Sequence, residues 1–150
     1  MGRDGVVNVV IAGLGGQGVL TASDILADAA FRAGCDVKKA EVHGMSQRGG
    51  SVSTDVRFGP RVLSPMVPPG EADFLVVLEE TQVAVAQSVL RSEGTPIGPD
   101  AVDGARLPNS RSLNVALMGV LSAHLDPVAD CWIEALRANI KAKYLDANHE

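Results

Sequence analysis

A chain of 150 residues, 46% apolar and 21% charged, has a soluble, globular composition and fits one domain spanning 1–150, able to bury roughly 70% of its unfolded surface. Only 3% of the residues are aromatic and the net charge is −5, which argues against a basic, ring-bearing nucleic-acid surface and calls for an aliphatic core. The two cysteines, Cys35 and Cys131, form no Cys-x-x-Cys pair, so this chain by itself builds no zinc ribbon and no iron–sulfur cluster; they read as free thiols of a reduced compartment.

In chain order, Met1 to Gly5 is too short and polar to be a signal peptide, and no apolar run approaches the roughly 20 residues of a membrane span, so a cytoplasmic setting is expected. Val6 to Ile11 is a β-branched run bounded by glycine, the pattern of a strand buried on both faces. A helix follows from Gly18, with Val19, Ala22, Leu26, Ala29, Ala30 and Ala33 at helical spacing and Gly34 as its stop. Asp36 to Val42 is a weaker strand, completing a β–loop–α–β unit with an expected right-handed crossover.

From Ser51 to Phe58, Val52, Thr54, Val56 and Phe58 alternate with polar residues. That is a half-exposed strand, expected near an edge or in an antiparallel hairpin with Arg61 to Ser64. Pro65 to Gly70 reads as a loop, and Phe74 to Leu78 as a second buried strand. Glu79 and Glu80 end that strand, and Thr81 is expected to cap a helix running to about Ser92. Gly94 to Ser110 reads as irregular, with at most a short strand near Ile97. Ser112 to Leu125 is a predicted helix with Leu113, Leu117, Val120, Leu121 and His124 on one side; Asp130 to Asp146 is another, with Ile133, Leu136, Ile140 and Tyr144 inward. The resulting fold class is α/β: three-layer, Rossmann-like, with a mostly parallel sheet and one antiparallel hairpin or edge strand.

Two glycine clusters stand out: Gly13-Leu14-Gly15-Gly16-Gln17-Gly18, and Arg48-Gly49-Gly50 at the end of the polar stretch that starts at His43. Both should lie at the carboxyl ends of parallel strands, where open α/β sheets place their ligand or partner surface. Gly13, Gly15 and Gly18 match the dinucleotide fingerprint in its strand–turn–helix context, with Glu41 lying 23 residues after Gly18 as the ribose-binding carboxylate that reading needs. The same glycines serve a tight turn and close helix–strand packing, or the approach of a phosphate-bearing ligand or a partner subunit. His43 is an acid–base candidate or a hydrogen-bonding loop residue. Arg48 suits anion or carboxylate recognition, or a salt bridge fixing its loop. Asn114 caps its helix or faces the same crevice, and the Glu79–Glu80 pair is a paired carboxylate or a helix cap. The chain has no Gly-Asp-Gly with a downstream Asn for metal-held thiamine pyrophosphate, no phosphate-loop motif, no His-Glu-x-x-His and no Gly-x-Ser-x-Gly. No catalytic residue and no metal site are assigned.

Three ordered motifs together carry a family resemblance: Gly13 to Leu20, Glu41 to Val52, and Val56 to Gly59. They resemble the gamma-type subunit or domain of 2-oxoacid:ferredoxin oxidoreductases, and the stretch from His43 to Gly50 is similar to the indolepyruvate branch of that family, whose corresponding chain is its beta subunit. Gly70 to Glu79 and Leu113 to Gly119 are similar as well, so the likeness covers about 6–91 and 110–145. The family usually has several tens of residues more where Glu93 to Ser110 stands.

The resemblance implies a non-autonomous subunit of an enzyme that decarboxylates a 2-oxoacid oxidatively to an acyl-CoA. Thiamine pyrophosphate, Mg and 4Fe-4S clusters would sit on a larger partner subunit, coenzyme A would be co-substrate, and ferredoxin would take the electrons through the complex. Neither nucleic acid nor membrane is an expected partner. The ligand- or partner-binding loops would be Gly13, Gly15, Gly16, Gln17 and Gly18, then His43, Gln47, Arg48, Gly49 and Gly50, with Asn114. The alternatives are a free-standing NAD(P)-binding Rossmann domain and a shortened, non-catalytic scaffold paralogue.

Overall fold

Val7–Leu14 forms β1, the central strand of a five-stranded sheet, because its side chains find apolar neighbours on both faces. The computed structural model describes residues 5–43, 50–103 and 112–147. After β1 come helix α1 (Val19–Arg32), strands β2 (Asp36–His43), β3 (Ser51–Gly59) and β4 (Ala72–Val77), and a broken run of helical turns over 80–89 whose middle is α2 (Val83–Ala86). Strand β5 (Leu90–Ile97) and helices α3 (Leu113–Ser122) and α4 (Asp126–Ala147) complete the order.

The strands lie in the order β2-β3-β1-β4-β5. β1 is parallel to β4, and β4 to β5, while β3 runs antiparallel to both of its neighbours, β1 and β2. Four strands therefore point one way and β3 alone points the other. The period-2 alternation of β1 divides the core. Val7, Val9 and Ile11 join Val56, Phe58, Val76 and Leu78 beneath α1, α3 and α4. Val10 and Ala12 join Leu75 and Val77 on the opposite face, under Val67, Val83, Ala86 and Val89.

Helix α1 presents Val19, Ala22, Ile25, Leu26, Ala29 and Ala30 to the first core. It stops where the periodicity indicates. Gly34 takes φ +89°, the Gly34 amide donates to the Phe31 carbonyl and the Cys35 amide to the Ala30 carbonyl, so orphan carbonyls of the last turn are satisfied.

Several expectations are corrected. The hairpin partner of β3 is β2, not Arg61 to Ser64, and β3 lies inside the sheet rather than at its edge. After β3 the chain is held by carboxylates instead of a strand partner: the Val62 amide donates to Asp36 Oδ2 at 2.8 Å and the Val67 amide to Asp55 Oδ2 at 2.9 Å. The helix expected to reach Ser92 is only the broken turns over 80–89, with no side-chain cap from Thr81, and β5 starts at Leu90. Gly94 and Pro96, read as loop signals, mark a bulged edge strand instead. Ala72 pairs with Leu90 but Phe74 with Thr95, and a Cβ on Gly94 would stand 2.8 Å from the Ala72 carbonyl oxygen.

The last two helices shift as well. α3 ends at Ser122, leaving His124 exposed against the ring of Phe74 at 5.7 Å, and α4 begins at Asp126 rather than Asp130. The inward stripe of α4 is Trp132, Ala135, Leu136 and Ile140, whereas Ile133 is 56% exposed. Tyr144 has no described side chain, and the residues between 104 and 111 lie outside the described set. Among the described residues, no helix is long and apolar enough to cross a membrane.

Candidate functional site

The connection from β1 runs through α1 on one face of the sheet, and the connection from β4 runs through the 80–89 turns on the other. The chain thus leaves β1 and β4 in opposite directions. Their carboxyl ends flank a crevice of the kind that doubly wound sheets use for ligands. Two residues bridge this crevice. Gln17 Oε1 accepts the Leu14 amide at 2.7 Å, and Gln17 Nε2 donates to Glu79 Oε2 at 2.7 Å. One side chain therefore closes the turn after β1 and ties it to Glu79, two residues past the end of β4.

Each glycine of the first cluster has a distinct reason to lack a side chain. A Cβ on Gly13 would lie 2.9 Å from Gln17 Oε1, 3.1 Å from Val19 Cγ2 and 3.2 Å from Leu78 Cβ, so Gly13 permits close packing of the turn on the sheet. Gly18 holds φ +87° as the residue preceding α1, and its carbonyl accepts both the first helical bond from the Ala22 amide (3.0 Å) and Asn114 Nδ2 (3.3 Å). Gly16, at φ +86°, faces open space, and Gly15 and Gly16 are exposed. Leu20, on the first turn of α1, is 41% exposed beside them.

Gly50, the described residue of the second cluster, reaches the same rim. The Gly15 amide donates to the Gly50 carbonyl at 3.0 Å, Leu14 pairs with Ser51, and His43 ends β2 opposite Val52. Ser51 Oγ donates to Gln82 Oε1 at 2.7 Å, linking the start of β3 to the turns after β4. Gln47, Arg48 and Gly49 lie outside the described residues. The amides of Gly15 and Gln17 are not available to a visitor, because the Gly50 and Leu14 carbonyls hold them.

Neither Asn114 nor Glu79 acts as a helix cap. Asn114 does not cap α3 from the preceding position; it is buried on the first turn, accepts the Val115 amide at 2.9 Å and steadies Gly18. Glu79 makes no side-chain cap to the helical turns and bonds Gln17 instead. Its position directly after a buried parallel strand was a legible signal, because every strand end of that direction meets this rim. Ser51 lies within the Glu41 to Val52 motif and Gln82 in none, and only the fold brings them together.

The dinucleotide reading loses its carboxylate. That reading needs the second strand directly beside the first, yet β3 is interposed, so Glu41 lies two strands from β1, roughly 10 Å away at about 4.8 Å per strand. Glu41 pairs with Lys39 at 3.8 Å. Among the described residues, no group of three or more His, Cys, Asp or Glu gathers as a metal site.

Comparison with known proteins bears on the family and the fold. The family profile described as "Pyruvate ferredoxin/flavodoxin oxidoreductase" matches residues 8–108. Indolepyruvate oxidoreductase subunit IorB from Archaeoglobus fulgidus is 53% identical over 76 residues, 51% of this chain and 37% of that protein. The chain spans less than half the length of each curated relative it matches. Among solved structures, 2-oxoglutarate:ferredoxin oxidoreductase from Magnetococcus marinus, with 2-oxoglutarate, coenzyme A and succinyl-CoA bound, superposes at TM-score 0.78 and 17% identity, covering 94% of this chain and 28% of that one. The gamma subunit of the keto/oxoacid ferredoxin oxidoreductase from Geobacter sulfurreducens superposes at TM-score 0.67 and 19% identity, covering 92% of each chain. At these identities the two structures speak to the fold.

Proposed function

The chain belongs to the pyruvate ferredoxin/flavodoxin oxidoreductase family, and from that premise we propose that it acts as the gamma-type part of a 2-oxoacid:ferredoxin oxidoreductase, with indolepyruvate or another aryl pyruvate as the oxoacid. The reaction is oxidative decarboxylation of the oxoacid to an acyl-CoA in a cytoplasmic complex. A larger partner subunit holds thiamine pyrophosphate, magnesium and 4Fe-4S clusters, and these supply the decarboxylation and one-electron chemistry. This chain supplies position and electrostatics at the rim shared by β1 and β4.

The observation that carries the reading is the Gln17 bridge from the Leu14 amide to Glu79. It holds the glycine turn in one geometry before any partner arrives, and a turn so held loses little entropy on binding. Gly15, Gly16 and Leu20 form an exposed surface beside it. In this reading Gly16 and the first turn of α1 face coenzyme A or the partner subunit, and Arg48 contributes the cation that a phosphate requires. Glu79 sits on the other side of the turn, where it repels an anion, so a phosphate approaches from the Gly50 side.

The test is reconstitution with the cluster-bearing subunit. The isolated chain should oxidise no 2-oxoacid, and the assembled complex should show indolepyruvate oxidation dependent on coenzyme A that disappears when this chain is omitted. Turnover unchanged by omission would assign the chain a scaffolding role. Micromolar binding of NADH by the isolated chain would point to a dinucleotide domain.

A further inference from the structure

α1 and α4 pack side by side, and two polar contacts fix how. Asn139 Nδ2 donates to Asp28 Oδ2 at 3.1 Å, and Arg32 Nη1 pairs with Glu134 Oε2 at 3.5 Å. The numbers rise along α1 while they fall along α4, so the helices are antiparallel. Three residues before Glu134 on α4 is Cys131. α1 ends at Arg32, and Cys35 lies just past the Gly34 turn that closes it, packed against the core cluster that includes Trp132 and Ala135 of α4. Cys131 shares the stripe of Ala135 and Asn139, each four residues on, and that stripe faces α1. Cys35 is fixed by its amide bond to the Ala30 carbonyl.

We infer that Cys35 and Cys131 are a dithiol that closes reversibly to a disulfide, stapling the C-terminal turn of α1 to α4. Both thiols are free and half-buried, within reach of a small reagent. The Cys35 thiol is pushed up by burial and, secondarily, by negative charge on Cys131, which agrees with their placement side by side. The oxidant is a low-molecular-weight disulfide. One cysteine thiolate attacks it, forming a mixed disulfide and releasing one reagent thiolate. The second cysteine thiolate attacks the protein sulfur of that mixed disulfide, forming the Cys35–Cys131 bond and releasing the other. Two protein thiols give up two protons and two electrons, and the reagent leaves as two thiols. The staple links the far end of the helix whose first turn carries the glycine rim, and it does not depend on the function proposed for that rim.

The experiment exposes the reduced full chain to glutathione disulfide in native buffer and, in parallel, in denaturant. The expected native product is a monomer lighter by two hydrogens, with the Cys35 and Cys131 peptides joined and with a midpoint of thermal unfolding several degrees above that of the reduced chain. Closure should be at least roughly tenfold faster in native buffer than in denaturant, because the fold raises the effective concentration of one thiol at the other. C35S and C131S should each stop at a glutathione adduct. Stable double adducts without a joined peptide, dimers joined between chains, or closure as fast in denaturant as in native buffer would each overturn the inference.

Discussion

The Asn114 side chain occupies the space that a side chain on Gly18 would need. A Cβ there would overlap Asn114 Nδ2, and the same nitrogen donates to the Gly18 carbonyl at 3.3 Å. The residues are 96 apart in sequence, and their contact joins the starts of α1 and α3.

Gly18→Ala therefore meets two costs. The left-handed backbone costs about 1–2 kcal/mol for an L residue, and displacing Asn114 loses about 1 kcal/mol more. Gly16→Ala, at a similar φ with open space around it, should show the first cost alone. In an Asn114→Ala background the Gly18→Ala cost should fall toward that of Gly16→Ala. Urea unfolding of the four-member cycle checks this; strictly additive losses would show that the contact contributes nothing.

Gln17→Glu places a carboxylate against Glu79. At neutral pH the repulsion should destabilise the protein by about 1–2 kcal/mol. The folded-state pKa of the pair rises, so the deficit should shrink as pH falls toward the carboxylate range and one carboxyl takes up a proton and donates to the other. Unfolding midpoints from about pH 4 to 8 measure this; a deficit independent of pH would mean that the two groups do not face each other in solution.

Asp55 is buried, and desolvation raises its pKa against the opposing pull of the Val67 amide and Arg57. A carboxyl whose folded pKa is raised contributes its full share of stability below the unfolded value and loses it as pH rises through the folded one. Asp55→Asn keeps an oxygen for the Val67 amide. The variant should match or exceed the parent at neutral pH, and the parent should gain on it as pH falls toward about 4. Paired denaturation curves across that range decide the sign.

Arg48→Ala tests the anion side of the rim. In the reconstituted complex, KM for coenzyme A should rise about tenfold, the scale of one lost charge-assisted hydrogen bond, while KM for the oxoacid stays within twofold. Equal effects on both substrates would instead assign Arg48 to holding the complex together.

Much of this molecule could be read from neighbouring residues. The run from Val6 to Ile11 has no polar face, so it had to be buried on both sides. α1 announces both of its ends, because Gly18 and Gly34 adopt backbone angles that other residues resist. The glycine clusters follow strands, and the rule that strand ends carry function located the rim.

What the sequence left open depends on atoms far apart along the chain. Gly94 and Pro96 break strands in most settings, and only the pairing of β5 with β4 across a bulge makes them edge residues. The inward face of α4 is set by its seat against α1, which one residue of drift in a weak stripe cannot specify. Glu79, Asn114 and Ser51 are ordinary polar residues until the sheet order brings them to Gln17, Gly18 and Gln82. Local propensity and periodicity decided which segments are strands and helices. Tertiary packing decided which ends meet, because a hydrogen bond between residues dozens of positions apart forms only after the backbone has been folded to bring them within about 3 Å.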